Sequence, residues 1–108
     1  MSDEPTIFTT GGTNGEYYTV TATFSVQLND VQLKDLDKEL QLILREQKVM
    51  ASINRVVKMF ARNGKTVAII DYRGNVQDHN MGCINGDLEA LLKQLDHLLR
   101  IFGSPSAA

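Results

Sequence analysis

Residues 31–64 read VQLKDLDKELQLILREQKVMASINRVVKMFARNG, and no Pro or Gly interrupts them before Gly64. Most of these residues are good helix formers, and Asn29 precedes Gln32 at the spacing of a capping box. Asn63-Gly64 supplies a stop signal, because glycine readily adopts the left-handed conformation that follows a helix C-terminus. The stretch therefore predicts one long helix over residues 31–62.

The apolar face of this predicted helix changes direction near Gln47. At 100° per residue, the apolar residues of the second half lie on a face rotated by roughly 120° from those of the first half. The helix must therefore bend or break there, or its halves must pack on different partners. The apolar face of the first half consists of Leu33, Leu36, Leu40, Ile43 and Leu44.

That first-half face predicts an oligomer interface. A small three-stranded sheet has room for about two helices packed 8–10 Å apart, and the C-terminal helix and the second half of the long helix would fill both places. The remaining apolar face would be large for a monomer, so we expect a homodimer or higher oligomer to bury it. The alternative is a break near Gln47 that folds the first half back onto its own sheet.

Four other segments complete the predicted architecture. Residues 17–28 alternate apolar and polar side chains, which is typical of a half-buried strand. Residues 66–72 predict a central strand, because their middle is continuously apolar, and residues 76–81 predict a third, more polar strand. Leucines at helical spacing predict a last helix over residues 87–102.

The predicted order is β-α-β-β-α, a small two-layer α+β domain with a three-stranded mixed sheet and the helices on one face. This order resembles the ferredoxin-like arrangement without its last strand. With a break near Gln47 it also resembles the type I KH nucleic-acid domain. The KH family has a Gly-x-x-Gly loop between its helices, where Glu46-Gln47-Lys48-Val49 stands here, so the resemblance concerns topology alone.

The domain is expected over residues 16–103, with flexible tails at residues 1–15 and 104–108. The first tail is Gly-rich and polar, apart from Ile7-Phe8, which could dock on the body or add an edge strand.

Composition excludes several classes of protein. The 108 residues are 43% hydrophobic and 22% charged with a net charge of −2, which fits one globular domain without a global bias toward nucleic acid. A single cysteine excludes an intramolecular disulfide, and no apolar run is long enough to span a membrane. The acidic N-terminus lacks the apolar core of a secretory signal. We therefore expect a cytoplasmic protein with no membrane partner.

Basic residues cluster in one part of the sequence. Residues 47–70 carry five of them and no acid, and on a helix most would lie within an arc of about 80° opposite the apolar face. This basic stripe could be a solvated face, a site for an acidic protein surface or a site for nucleic acid. No aromatic residue interleaves the stripe on a helix, which counts against a platform for stacking bases. The stripe consists of Lys48, Arg55, Lys58, Arg62 and Lys65.

Residues suited to catalysis or metal binding do not form a recognisable motif. Asp71, Asp78, His79, Cys83 and Asp87 surround the third predicted strand, but their spacing matches no zinc signature. Cys83 and His79 could act as nucleophile and base, but no third group is placed to orient them. A lone cysteine is more often a small buried apolar residue. We therefore expect no catalytic residue, metal site or cofactor.

Together these features predict a small non-enzymatic regulatory or adaptor protein that acts through protein–protein contacts as a homodimer. The alternative is a nucleic-acid-binding protein that uses the basic stripe.

Overall fold

The computed structural model describes residues 5–11 and 17–103. It shows an α+β fold in which four strands form one antiparallel sheet in the order β1-β2-β4-β3. The elements in chain order are β1 (Thr6–Gly11), β2 (Tyr17–Phe24), α1 (Asp30–Glu46), β3 (Ile53–Arg62), β4 (Lys65–Gly74), a 3₁₀ turn (Asp78–Asn80) and α2 (Met81–Gly103).

Both helices pack on the same face of the sheet, as expected. The core between the two layers joins alternate residues of β2 and β4, such as Phe24 and Ile70, to Leu40 of α1 and Leu95 of α2. Each of these four side chains is at most 1% exposed. Period-two alternation on the strands thus divides the sheet into a face toward the helices and a face away from them.

The N-terminal tail contains a strand. Thr6–Gly11 pair with β2 along their length, with Ile7 opposite Ala22 and Phe8 opposite Thr21. The edge-strand alternative for Ile7-Phe8 is therefore the one observed. The parts of the expected tails at residues 1–4, 12–15 and 104–108 lie outside the described residues.

The predicted helix over residues 31–62 is wrong in its second half. The helix begins at the capping box, where the side chains of Asn29 and Gln32 accept hydrogen bonds from each other's backbone N–H at 2.8 and 2.9 Å. It ends at Glu46, with Gln47 as its C-cap, so of the alternatives for this stretch a break near Gln47 is the one observed. Ile53–Arg62 then form a strand, β3.

Asn63-Gly64 joins two strands and does not end a helix. Both residues have positive φ, 52° and 74°, and Arg62 pairs directly with Lys65. Two consecutive left-handed residues between paired strands make the tight hairpin turn that matches the natural twist of a sheet. The hairpin places β3 at the edge and returns the chain as β4 between β3 and β2.

The third strand expected at residues 76–81 is also wrong. Because β4 is paired with β2 on one side and with β3 on the other, it has no free edge for a following hairpin partner. The chain instead leaves the sheet after Gly74 and enters the 3₁₀ turn and α2. The sheet is therefore four-stranded and antiparallel, not three-stranded and mixed, and the order is β-β-α-β-β-α.

Candidate functional site: two interaction surfaces

The five residues of the predicted basic stripe do not share one surface. Alternation along β3 sends Arg55 toward the helices and Lys58 and Arg62 to the opposite face of the sheet. Lys65 of β4 lies beside Arg62 on that opposite face, whereas Lys48 is exposed in the loop between α1 and β3. Three of the five residues therefore share a surface, but as neighbours on a sheet.

Arg55 is an internal ion-pair partner and not part of an exposed stripe. Its side chain is only 4% exposed, and its guanidinium donates to Oδ1 of Asp87 on α2 and to the backbone carbonyl of Gln47. The hydroxyl of Tyr72 on β4 donates to Oδ2 of the same carboxylate at 2.7 Å. Burial and this hydrogen bond to Asp87 raise the pKa of Tyr72 well above its usual value. The network ties the sheet to the end of α1 and the first half of α2.

The apolar face predicted as an oligomer interface lies largely inside the chain. Leu36 and Leu40 are fully buried in the core. Because α1 ends at Glu46 and folds back, it covers the sheet that the second half of a longer helix was expected to cover. The reason for a dimer through this face is thereby removed. The other three residues, Leu33, Ile43 and Leu44, are partly buried against the same core.

The candidate metal and catalytic residues are dispersed. Asp71 points away from the helices, accepting from Thr19 Oγ1 at 3.0 Å and pairing with Arg73 at 2.8 Å. Asp87 lies on α2, on the other side of the sheet, and faces Tyr72. Cys83 is exposed on α2, contrary to the expected burial. Within residues 5–11 and 17–103, no three His, Cys, Asp or Glu side chains cluster as metal ligands would.

The first candidate surface is the sheet face opposite the helices, which no described element covers; we call it the open sheet face. Val67 lies on this face, outside the helix-side core, and is only 4% exposed. It is flanked in register by Thr23 and Phe60. The outward side chains are those of Thr6, Phe8, Thr10, Tyr17, Thr19, Thr21, Thr23, Asn54, Val56, Lys58, Phe60, Arg62, Lys65, Val67, Ile69, Asp71 and Arg73.

The second candidate surface is the outer edge of β1 with the adjoining side of α2. Thr6–Gly11 contain no charged residue, and no described strand pairs with the outer edge of β1. Ile7 is 45% exposed on the helix side and Phe8 is 66% exposed on the open sheet face. A groove, which we call the β1–α2 groove, runs between this strand and α2. Its lining residues are Pro5, Ile7, Glu89, Leu92, Lys93, Asp96 and Arg100.

Charged residues alternate in sign along the α2 wall of this groove. Glu89, Lys93, Asp96 and Arg100 follow each other at steps of four, three and four residues, which places them in one stripe on the helix. Within the chain, Lys93 pairs with Glu89 at 3.6 Å and Arg100 with Asp96 at 3.0 Å. The order of signs is acid, base, acid, base.

The sequence did not predict either surface, because each depends on a segment that was not predicted as a strand. The open sheet face depends on reading residues 53–62 as a strand, and the β1–α2 groove depends on ordering Ile7-Phe8 as one. The available signals were the hairpin dipeptide Asn63-Gly64 and the apolar pair at Ile7-Phe8.

Comparison with known protein families, with curated proteins and with solved structures finds no match for the chain. No helix in the described part of the chain combines the length and apolar character needed to cross a bilayer. The two surfaces described above are therefore the basis for the function proposed below.

Proposed function

We propose that the chain is a small non-enzymatic regulatory or adaptor protein that acts through protein–protein contacts, and that it forms a homodimer along β1. The observation that carries this proposal is the edge strand itself. Free strand edges invite pairing, and folded proteins usually protect them with charged residues, Pro or a covering element. Thr6–Gly11 carry no charge and expose Ile7 on one face and Phe8 on the other.

A second copy of the chain would pair with the free edge of β1 and cover its Ile7 side. Antiparallel pairing of β1 with the partner's β1 about a two-fold axis would join the two sheets into one of eight strands. Ile7 and Leu92 line the groove beside the axis, so their counterparts from the two copies would enclose an apolar strip between the two α2 helices. Such a contact is isologous and closes after two copies.

The charges on α2 support a two-fold contact. When two copies of α2 run antiparallel, Glu89 stands opposite the partner's Arg100 and Lys93 stands opposite the partner's Asp96. All four contacts across the axis then join opposite charges. The stripe is thus complementary to itself, which favours a second copy as the occupant of the β1–α2 groove and contributes to specificity.

Self-association through the open sheet face is the weaker alternative. Among its described residues that face carries four cations, Lys58, Arg62, Lys65 and Arg73, against the single carboxylate of Asp71. Stacking two such faces would bring like charges together in a partly desolvated interface, which costs free energy. The second copy is therefore better placed at β1.

Light scattering coupled to gel filtration tests the proposal at tens of micromolar protein. The wild type is expected to scatter at twice the chain mass of 12.0 kDa. Ile7→Lys places a charge at the interface and should give a folded monomer. Val31→Lys is the matched control, because Val31 is an exposed apolar residue on α1, at 68% exposure, and its variant should stay dimeric. A monomeric wild type, or equal dissociation of both variants, would reject the proposal.

We also propose that the protein is located in the cytoplasm. The one cysteine, Cys83, is free and exposed, and exposed thiols persist in a reducing compartment.

A further inference from the structure

We infer that the open sheet face binds single-stranded nucleic acid. This site is separate from the homodimer contact at the edge of β1, and it uses residues of β3 and β4 that the β1–α2 groove does not contain.

Positive charge gathers at one end of this face. Lys65 and Arg62 are paired in register next to the hairpin turn, and Lys58 lies two alternate positions along β3 from Arg62. Among residues 5–11 and 17–103, no carboxylate lies within ion-pair distance of these three side chains. Three exposed and unneutralised cations on one surface attract a polyanion, although the whole chain has a net charge of −2.

The other end of the face does not cancel this charge. Asp71 is the one carboxylate on the described face, and it is paired with Arg73 and accepts a hydrogen bond from Thr19. Arg73 also lies over the ring of Tyr17, with its guanidinium carbon 5.4 Å from the ring centre. The excess of positive charge therefore remains at Lys58, Arg62 and Lys65.

Two aromatic rings share the open sheet face with these cations, and one of them lies between two cations. Phe60 lies between Lys58 and Arg62 on the outward side of β3, and Phe8 lies on β1 in the same cross-strand row as Lys58. On a helix, Phe60 would be turned away from the two basic residues; on a strand, all three share a face. Rings beside cations on a flat surface form a platform that stacks bases and neutralises phosphates.

The combination of rings and cations distinguishes nucleic acid from an acidic protein, and single strands from duplexes. An acidic protein surface would be met by the cations alone and does not need the rings of Phe8 and Phe60. In a duplex the bases are already stacked on each other, so only unpaired bases are available to Phe8 and Phe60. The hydroxyl groups of Thr21 and Thr23, in the cross-strand rows of Phe8 and Phe60, offer further hydrogen bonds.

Fluorescence anisotropy with labelled oligothymidylate and with an RNA of the same length tests the inference. Binding at low salt should weaken as salt rises, with a slope of about −2 in log K against log salt for three phosphate contacts. The matching duplex should bind more weakly than the single strand. Unlabelled oligothymidylate should displace the probe, and polyglutamate of equal charge should not.

Three variants locate the site. Lys58→Glu with Arg62→Glu should weaken binding at least tenfold, and Phe60→Leu, which keeps an apolar side chain but removes the ring, on the order of tenfold. The control, Lys34→Glu with Lys38→Glu, makes the same charge change at two exposed residues of α1 on the opposite side of the sheet and should bind like the wild type. Urea midpoints are measured for each variant, because surface changes should shift stability by only about 0.5 kcal/mol.

Three outcomes overturn the inference. They are no binding of either oligonucleotide at low salt, displacement by polyglutamate as effective as by oligothymidylate, and equal loss of binding in the β3 and α1 variants. None of them bears on the mass of the wild-type protein, so failure here is distinct from failure of the homodimer.

Discussion

At the scale of single residues, Arg55, Asp87 and Tyr72 hold the two layers together. The carboxylate of Asp87 on α2 accepts hydrogen bonds from the guanidinium of Arg55 on β3 and from the hydroxyl of Tyr72 on β4. The side chains of Arg55 and Asp87 are 4% and 15% exposed, so their charges are largely removed from water. In such a network, loss of one member leaves a buried charge without its partner, and that loss costs more than the pair contributes net.

Asp87→Ala should therefore lower the free energy of unfolding by about 3–5 kcal/mol, because Arg55 is left buried and unpaired. Lys38→Ala, at an exposed position on α1, should change it by no more than about 0.5 kcal/mol. Urea denaturation followed by circular dichroism measures both. A loss below about 1 kcal/mol for Asp87→Ala would mean that the network does not hold the layers together.

The raised pKa of Tyr72 predicts a loss of stability in alkaline solution. In the unfolded chain a tyrosine loses its proton above about pH 10, whereas burial and Asp87 keep Tyr72 protonated in the fold. The unfolded state thus binds fewer protons above pH 10, so the stability that Tyr72 provides at lower pH falls as the pH rises. Urea midpoints near neutral pH and above pH 10 should decline more for the wild type than for Tyr72→Phe. Equal declines would contradict this role.

At the scale of elements, the sequence predicted the helices and strands whose apolar pattern fits either a helix or a strand but not both. The alternation of β2, the continuous apolar middle of β4, the capping box of α1 and the leucines of α2 each point to one structure, and all four elements are present. Residues 53–62 are different, because Val, Met, Phe and Lys at these positions satisfy a helical face as well as a strand. Pairing with β4, which follows the turn, favours the strand over the helix, and this pairing is present only in the folded chain.

The same ambiguity explains the candidate site. Lys58 and Arg62 are neighbours under either period, so their shared surface was predictable. Arg55 and Phe60 exchange roles between the two periods, since the strand buries Arg55 and brings Phe60 between the two cations. Read as a helix, the segment therefore gave a basic stripe without an aromatic residue. As a strand, it gives a basic surface that includes Phe60.

Two glycines at the ends of β4 differ in what an added side chain would cost, because Gly64 precedes the strand and Gly74 is its last residue. Gly64 and Gly74 both have positive φ, 74° and 117°, but a Cβ at Gly64 would meet nothing closer than 3.8 Å, whereas one at Gly74 would lie 2.3 Å from the carbonyl oxygen of Ser52. Gly64→Ala should cost about 1–2 kcal/mol from its left-handed backbone alone. Gly74→Ala should cost more, because the backbone must also move. Urea denaturation measures both variants, and equal losses of unfolding free energy would contradict the close contact at Gly74.

At the scale of the whole molecule, the two layers differ in charge. The exposed acids of α1 include Asp35, Glu39 and Glu46, whereas the open sheet face carries the cations of β3 and β4. A net charge of −2 conceals this separation. In a homodimer along β1, the two open sheet faces would adjoin on one side of an eight-stranded sheet, with Phe8 of each copy near the axis.

The alternation of charge along α2 supports the homodimer along β1 and allows it to be tested. Reversing every sign in the stripe preserves the ion pairs Lys93–Glu89 and Arg100–Asp96 and each contact across the two-fold axis. It makes every contact between a reversed copy and a wild-type copy repulsive. The reversed protein carries Glu89→Lys, Lys93→Glu, Asp96→Lys and Arg100→Glu.

Subunit exchange between the wild type and the reversed protein, followed by native mass spectrometry with one partner isotopically labelled, is the decisive measurement. Each protein alone should appear at twice the chain mass of 12.0 kDa, and their mixture should contain the two homodimers with little mixed dimer. Mixed dimers in the statistical proportion would contradict the α2 contact, and a wild type that stays at the chain mass at tens of micromolar would contradict the homodimer along β1.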